Sequence, residues 1–165
     1  MSISPEDLIM QADVMNVRLD MMRGLAVWEA APVAQHQLEL DRIRASIQVV
    51  SSSGDICVHL ANVLFKFQEN SWVTPDIALL QTLPPSSERH QALNSVPEAV
   101  VEIISEGYKR KDLELAPEFY LAMGVQDVVI FDPQTRLVYH HRKDGTKRLE
   151  SPIPITFECG CSCEV

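Results

Sequence analysis

Three short runs of apolar residues set the strongest limit on how this chain can fold. They read DIALL (76–80), EAVVEIIS (98–105) and DVVIFDP (127–133), and turn-forming residues bound each of them. Short runs rich in β-branched residues predict strands, and near-continuous apolar strands are typical of a sheet covered on both faces. We therefore expect an α/β fold built around a mixed sheet.

The segments before these runs predict a helix, a hairpin and a second helix. Residues 5–16 follow a capping serine and begin with a proline, which is typical of a helix start. Arg23-Gly24, flanked by hydrophobic residues, predicts the turn of a hairpin. Apolar residues spaced three and four apart between 33 and 50 indicate an amphipathic helix, which a turn at 51–55 ends.

The segments between and after the runs complete the predicted sheet. Residues 55–67 indicate a further strand, and a helix capped by Gly124 separates EAVVEIIS from DVVIFDP. A strand, a helix and a second strand in this order predict a parallel crossover. A last hairpin turns at Asp144-Gly145. We expect one domain over 1–165, with an irregular tail at about 152–165.

Composition favours a globular protein of the cytoplasm. Hydrophobic residues make up 46% of the chain and charged residues 22%, which is too apolar a balance for a disordered chain. No apolar run approaches the roughly 20 residues that a membrane span needs, and the N-terminus lacks the pattern of a signal peptide. We therefore expect a cytoplasmic protein with no membrane partner.

The net charge of −9 argues against general binding to nucleic acid. A DNA partner would need a local basic patch, and positive charge clusters in two places. One is formed by Lys109, Arg110 and Lys111, and the other spans 142–148. Short basic runs are most often solvated loops, so these clusters alone do not indicate a DNA-binding protein.

Two acidic residues lie inside or beside the apolar runs, which is unusual for buried strands. Glu102 lies between apolar neighbours in EAVVEIIS, and Asp76 follows Pro75 directly before IALL. An ionised carboxylate is very unfavourable in an apolar interior, so Glu102 needs an exposed strand end, a buried base or a cation. Carboxylates at the ends of neighbouring strands suit Mg²⁺ or Mn²⁺, and either ion polarises a phosphoryl group for phosphodiester hydrolysis.

The order of the motifs resembles a known family. TPDIALL, VPEAVVEIIS and RKDLELAPEFYLAMGVQDVVIFDPQTRLV follow one another over about 18–145, and this series is similar to the Uma2 family, which has the PD-(D/E)XK nuclease fold. The resemblance implies a restriction-endonuclease-like three-layer sandwich and a DNA endonuclease that depends on Mg²⁺ or Mn²⁺. It implies metal ligation by Asp76, Glu102 and, from the early hairpin, Asp20, and it places the family's helix histidine at His36.

The chain departs from this family where the chemistry needs a cation. The family carries a lysine on the helix after the strand, four residues beyond an aspartate, and counting from Asp112 this position holds Ala116. We expect Lys111 or Lys109 to supply the catalytic amine from the preceding loop, because a lysine side chain is long and flexible. The alternative is a catalytically inactive nuclease fold that serves as a binding or assembly module, for instance as a homodimer.

The cysteines allow two interpretations. Cys159, Cys161 and Cys163 alternate near the end of the chain, and on an extended strand their thiols would face one side, as a Zn²⁺ or Cu(I) site requires. Closed zinc sites usually need a fourth ligand, so a divergent tail without metal is the alternative. Because Cys57 lies far from the other three, we expect no disulfide framework.

Overall fold

A computed structural model describes residues 3–51, 55–109 and 111–165. The predicted turn at 51–55 lies largely outside the described residues, and so does the basic residue Arg110. No helix within the described ranges is long and apolar enough to cross a membrane.

The described residues form three α-helices, two short helical turns and thirteen strands. The helices are α1 (Pro5–Val14), α2 (Ala34–Ala45) and α3 (Ala116–Ala122), with a 3₁₀ turn at Ser86–Glu88 and a π-helical turn at Lys111–Leu115. The strands are β1 (Val17–Met22), β2 (Leu25–Ala30), β3 (Gln48–Val49), β4 (Val58–Ala61), β5 (Phe65–Phe67), β6 (Ser71–Val73), β7 (Ile77–Leu80), β8 (Ala99–Ile103), β9 (Asp127–Asp132), β10 (Leu137–Arg142), β11 (Gly145–Glu150), β12 (Pro154–Thr156) and β13 (Cys161–Glu164).

The largest sheet is mixed, as the apolar runs predict. Its strand order is β11-β10-β9-β8-β7-β4, in which β8 and β9 run parallel and the other neighbours pair antiparallel. The chain between the two parallel strands contains the π-helical turn and α3. The predicted α/β fold around a mixed sheet is therefore confirmed.

Each face of this sheet is covered by a separate apolar core. Alternate residues of β7, β8 and β9 face α2 and the C-terminal strands, whereas the residues between them face α3. On the α2 side, Leu40 and Ile43 are fully buried, and on the α3 side Tyr120 is. Burial on both faces explains why these strands are apolar at every position but Glu102 and the two ends of β9.

A smaller antiparallel sheet carries the predicted early hairpin. Its order is β2-β1-β6-β5, and α1 packs on it through Ile9 and Ala12. The hairpin turns at Arg23-Gly24, as predicted, and Met22 pairs with Leu25. The first helix is also confirmed, and the hydroxyl of its capping residue Ser4 accepts a hydrogen bond from the N–H of Asp7 at 3.1 Å.

Two predicted elements are divided in the structure. The strand expected over 55–67 forms β4 in the mixed sheet and β5 in the smaller sheet, because Asn62 between them adopts a positive φ of 55°. The helix expected to reach 50 ends at Ala45, where the hydroxyl of Ser46 donates to the carbonyl of Ile43. Ile47, Val49 and Val50 after it are β-branched, and β3 begins at Gln48.

The prediction of an irregular tail at 152–165 is wrong. Strands β12 and β13 pair with each other, and β13 also pairs with β3. Alternate tail residues, including Ile155, Phe157 and Cys163, enter the core on the α2 side. This period of two is the usual pattern of a strand, and the buried side chains give the tail its order.

The prediction that the cysteines form no disulfide is also wrong, for one pair. Cys57 and Cys161 form a disulfide across a Cα–Cα distance of 6.0 Å, which is within the range that such a bond spans. Cys159 and Cys163 are free and buried. Within the described residues no group of three or more His, Cys, Asp or Glu side chains is placed to hold a metal ion, so no soft-metal site is formed there.

Candidate active site

Asp76 and Glu102 lie side by side because their strands pair antiparallel. Asp76 directly precedes β7 and Glu102 lies near the end of β8, and Ile77 pairs with Val101 in the ladder. The backbone N–H of Asp76 donates to Oε2 of Glu102 at 3.1 Å. The exposed fraction is 3% for Asp76 and 2% for Glu102. The two acids that the sequence singles out therefore share one buried site.

The carboxylate of Asp76 is balanced by cationic and polar donors from three elements. Its Oδ1 accepts from Nη1 of Arg18 on β1 at 3.0 Å, and its Oδ2 accepts from the N–H of Ile103 at 2.8 Å. Nε2 of His36 on α2 lies 3.1 Å from the same Oδ2. Burial raises the pKa of Asp76, but the bond to His36 and the charge of Arg18 outweigh burial and hold the pKa below its usual range.

Glu102 is held by neutral donors instead. Its Oε1 accepts from the hydroxyl of Tyr120 on α3 at 2.5 Å, and its Oε2 accepts from the N–H of Asp76. In the described part of the chain, no cationic side chain lies within ion-pair distance of Glu102. Burial and the neighbouring charge of Asp76 raise the pKa of Glu102 well above its usual value. Glu102 is thus a buried acid with no ion-pair partner in the described ranges, although the charge of Lys111 opposes the rise in its pKa.

The amine of Lys111 enters the same region from the π-helical turn before α3. Its Nζ lies 3.4 Å from Oδ2 of Asp20 on β1 and also contacts Glu29 on β2. Asp112, the next residue along the chain, has Oδ1 3.8 Å from the same amine. Burial lowers the pKa of Lys111, but the surrounding acids, Asp20 above all, outweigh burial and raise it above its usual value.

Acidic groups outnumber cationic groups around these residues. Burial raises the pKa of Asp20 by more than the charges of Lys111 and Arg18 lower it. The pKa of Asp112 is raised to about 7 by burial and by the charge of Glu29, against the attraction of Lys111. Among the described residues we define the acidic cluster as the carboxyl groups of Asp20, Glu29, Asp76, Glu102 and Asp112 with the cations Arg18 and Lys111, and with His36 when it is protonated.

The chemistry of the acidic cluster fits a divalent cation. Its donors are carboxylate oxygens, which Mg²⁺ and Mn²⁺ prefer. Burial is the main cause of the raised pKa values of Asp20, Glu102 and Asp112, so the cluster holds several acids in a water-poor site. No three acids among the described residues converge on a point that could hold an ion. In this arrangement Arg18 pairs with Asp76, and Lys111 pairs with Asp20.

A cavity leads from the surface to part of this cluster. It has a volume of about 330 Å³, lies between α1 and β1, and is lined by Arg18, Asp20 and Thr74 among other residues. Apolar side chains of α1, including Ile9 and Met10, form part of its wall. Its volume is within the range of pockets that bind small ligands.

The two candidate lysines separate in the structure. Nζ of Lys109 lies 3.0 Å from Oδ2 of Asp132, and 44% of the Lys109 side chain is exposed. Lys109 is therefore removed from the acidic cluster that Lys111 enters. Ala116, at the position of the family lysine, is fully buried in the core on the α3 side. Of the two lysines that were candidates for the catalytic amine, the structure brings only Lys111 to the acids.

The sequence prediction missed four members of the site, which are Arg18, Glu29, Asp112 and Tyr120. Arg18 lies two residues before Asp20 on β1 and opposite Glu29 on β2. The predicted hairpin register could therefore have placed Arg18, Asp20 and Glu29 on one face of the hairpin. The turn at Arg23-Gly24 fixes that register and would have placed Glu29 beside Arg18. Tyr120 gave no such signal, because its approach to Glu102 depends on how α3 packs on the sheet.

Comparison with known proteins yields a family and a fold. The family model Uma2, described as "Putative restriction endonuclease", matches residues 7–156 and confirms the resemblance predicted from the ordered motifs. A crystal structure of "a putative nuclease belonging to DUF820" from Anabaena variabilis is similar with a TM-score of 0.64 and 17% identity, over 84% of this chain and 81% of that chain. This likeness concerns the fold. No curated protein matches the chain significantly.

Proposed function

Because this chain belongs to the Uma2 family, we propose that it is a nuclease that hydrolyses phosphodiester bonds of DNA with Mg²⁺ or Mn²⁺. The observation that carries the proposal is Glu102, a buried carboxylate beside Asp76 that has no cationic partner among the described residues. A surplus of buried negative charge is costly for folding unless the site has a use for it. A divalent cation would supply the missing charge.

Three acids of the cluster are the proposed ligands. Asp76, Glu102 and Asp20 would hold the ion. The N–H of Asp76 donates to Glu102, and Asp20 accepts from the N–H of Thr74, two residues before Asp76. The ion, when bound, would polarise a phosphoryl oxygen and lower the pKa of a bound water. Tyr120 would position Glu102 through its hydroxyl, and His36 would position Asp76.

Lys111 is the proposed catalytic amine. It is the described lysine that contacts the acidic cluster, and it lies on the segment that precedes the family's lysine position. A positive charge held in a water-poor site stabilises negative charge that develops on a phosphate in the transition state. Arg18 lines the cavity and would add a second positive charge on the substrate side.

Cleavage of DNA in the presence and absence of divalent ions tests this proposal. Supercoiled plasmid and labelled single-stranded DNA would be incubated with the full chain and Mn²⁺, Mg²⁺ or a chelator. We expect cleavage that needs the ion and that disappears in Asp76→Ala. Cleavage of equal rate in Asp76→Ala, measured on freshly purified and folded protein, would overturn the assignment of the site.

A second candidate is a nuclease fold that has lost catalysis and serves as a binding or assembly module. It is favoured by Ala116, which leaves the family position without an amine, and by the pairing of Asp76 with Arg18. This candidate predicts no heat of Mn²⁺ binding in calorimetry and no cleavage. An Asp76→Ala variant would then differ from the native chain in stability alone.

A further inference from the structure

The ammonium group of Lys111 lies among the acids that the proposed metal ion would need. It contacts Asp20 and Glu29 and approaches Asp112, and only 7% of the Lys111 side chain is exposed. Arg18 and His36 pair with Asp76. Of the other four carboxyl groups of the acidic cluster, three lie near the amine of Lys111, and Glu102 has no ion-pair partner among the described residues. In this arrangement Lys111 supplies the positive charge that keeps the acids together.

The same contact blocks one of the proposed ligands. Oδ1 of Asp20 accepts from the N–H of Thr74 at 2.9 Å, and its Oδ2 faces the amine of Lys111. An ion that bound Asp20 would have to take Oδ2 from the amine or share it. Two positive charges that share a buried carboxylate repel each other strongly, because the interior screens charge poorly.

From these contacts, and resting on the metal site of the proposed function, we infer that Lys111 is an internal counter-cation that a divalent ion displaces from Asp20. The ammonium occupies Asp20 and Glu29 when no ion is bound, and it leaves Asp20 when the ion arrives. Binding of the ion therefore frees the amine from Asp20 and leaves it beside Glu29. The lysine then becomes available to the substrate only after the ion has bound, which couples the two events.

The position of Lys111 on the chain suits such a movement. It is the first residue of the π-helical turn, an irregular segment that is often found at functional sites. Gly107, with a positive φ of 88°, lies shortly before it. The amine is carried on a flexible four-carbon stem, so it can change partners without displacement of α3.

Mn²⁺ calorimetry on a matched set of variants tests the inference. Lys111→Met removes the competing charge and keeps the length of the side chain, whereas Lys111→Arg keeps the charge. Lys109→Met removes one positive charge at Asp132, outside the acidic cluster, and so controls for net charge. We expect Lys111→Met to bind Mn²⁺ about tenfold or more tightly than the native chain. Lys109→Met and Lys111→Arg should stay within about threefold of the native affinity, because they leave the charge in the cluster unchanged.

A second measurement uses the native chain and does not depend on how the variants fold. Acylation of amines by a water-soluble ester, read by peptide mass spectrometry, reports the reactivity of each lysine with and without saturating Mn²⁺. We expect labelling of Lys111 to rise when Mn²⁺ is added and labelling of Lys109 to stay constant. Labelling of Lys111 that does not change with Mn²⁺ would overturn the inference.

The outcomes separate this inference from the proposed function. Equal Mn²⁺ affinity of the native chain and Lys111→Met, together with cleavage that depends on Asp76, would overturn the displacement and leave the nuclease standing. No Mn²⁺ binding by the native chain or any variant would overturn both. Tighter binding by Lys111→Met with loss of cleavage is the result that supports both.

Discussion

Two buried acids, Asp127 and Glu102, lie toward opposite ends of the strands in the mixed sheet and have opposite electrostatic surroundings. Asp127, at the start of β9, accepts hydrogen bonds from the N–H of Glu158 at 2.9 Å and from Nε2 of His140 at 2.6 Å. Arg142 pairs with the same carboxylate. Burial raises the pKa of Asp127, but His140, the Glu158 amide and Arg142 outweigh burial and lower the pKa below its usual value. Around Asp127, the charges are balanced.

At the other end of the sheet the charges are not balanced. Glu102 is held by a hydroxyl and an amide, and its pKa is raised. Asp20 and Asp112 share the amine of Lys111 and also have raised pKa values. A network that serves only to hold strands together has no need of such a surplus, and the Asp127 network shows that this fold can satisfy a buried acid fully. This difference between the two ends supports the proposed cation site.

The largest expected difference between the two ends is in catalysis. Glu102→Gln keeps the size of the side chain and removes its charge, so we expect Mn²⁺-dependent cleavage to fall by about 10³-fold or more. Asp127→Asn should retain cleavage within about threefold at a temperature where it is folded. Plasmid nicking rates for both variants provide the measurement. Similar losses in the two variants would erase the distinction between the ends.

The effects of Asp127→Asn and Glu102→Gln on stability should have the reverse order. Asp127→Asn removes the charge that balances His140 and Arg142, and we expect the free energy of unfolding to fall by about 3 kcal/mol. Glu102→Gln removes a surplus charge, so its free energy of unfolding should stay within about 1 kcal/mol of the native value or rise. Urea unfolding followed by circular dichroism measures both. A Glu102→Gln variant that is the less stable of the two would contradict the charge argument.

The pH dependence of stability separates the two ends further. The pKa of Asp112 is raised to about 7, so the folded chain binds protons that the unfolded chain has released, and the free energy of unfolding should fall as pH rises from about 4 to about 7. The pKa of Asp127 is lowered, so its contribution is present above about 4 and is lost as pH falls below that value.

Urea unfolding over a series of pH values tests both signs. Asp112→Asn should flatten the fall in stability between about pH 4 and pH 7. Asp127→Asn should leave that fall unchanged and reduce the loss of stability in more acidic solution. An unaltered slope in Asp112→Asn would mean that this carboxyl group titrates with an ordinary pKa.

The smallest effect is expected from Lys109. Its ion pair with Asp132 is partly exposed, and such pairs contribute roughly 0–1 kcal/mol. Lys109→Met should therefore change cleavage by less than about threefold, while Lys111→Met should abolish it. Cleavage rates of the two variants measured side by side provide the check. A strong loss in Lys109→Met would return this lysine to the list of catalytic candidates.

Much of the fold was accessible from the sequence because local patterns determine it. The apolar runs predict β7, β8 and β9, and the pair Arg23-Gly24 predicts the hairpin of β1 and β2. The division of 55–67 depends on one residue, Asn62, whose positive φ has no periodic signature. The tail was misjudged even though its alternate residues are apolar, because a short strand next to a chain end gains its order from long-range pairing with β3.

The candidate site was predictable in part, for a different reason. Asp76 and Glu102 are conspicuous because an acid is out of place in an apolar strand, and the resemblance to Uma2 added Asp20. The choice between Lys109 and Lys111 could not be made from the sequence, because Lys109 precedes the π-helical turn and Lys111 begins it, and the direction of each side chain depends on how this segment folds. Tyr120 was missed because a contact between α3 and β8 is set by packing and not by spacing.

Binding of Mn²⁺ by the native chain and by Glu102→Gln tests the central claim most directly. The claim is that the acidic cluster holds surplus negative charge for a divalent cation. We predict one Mn²⁺ per chain by calorimetry, with binding lost in Glu102→Gln and retained in Asp127→Asn. Binding of equal strength in Glu102→Gln, or no binding by the native chain, would contradict the claim.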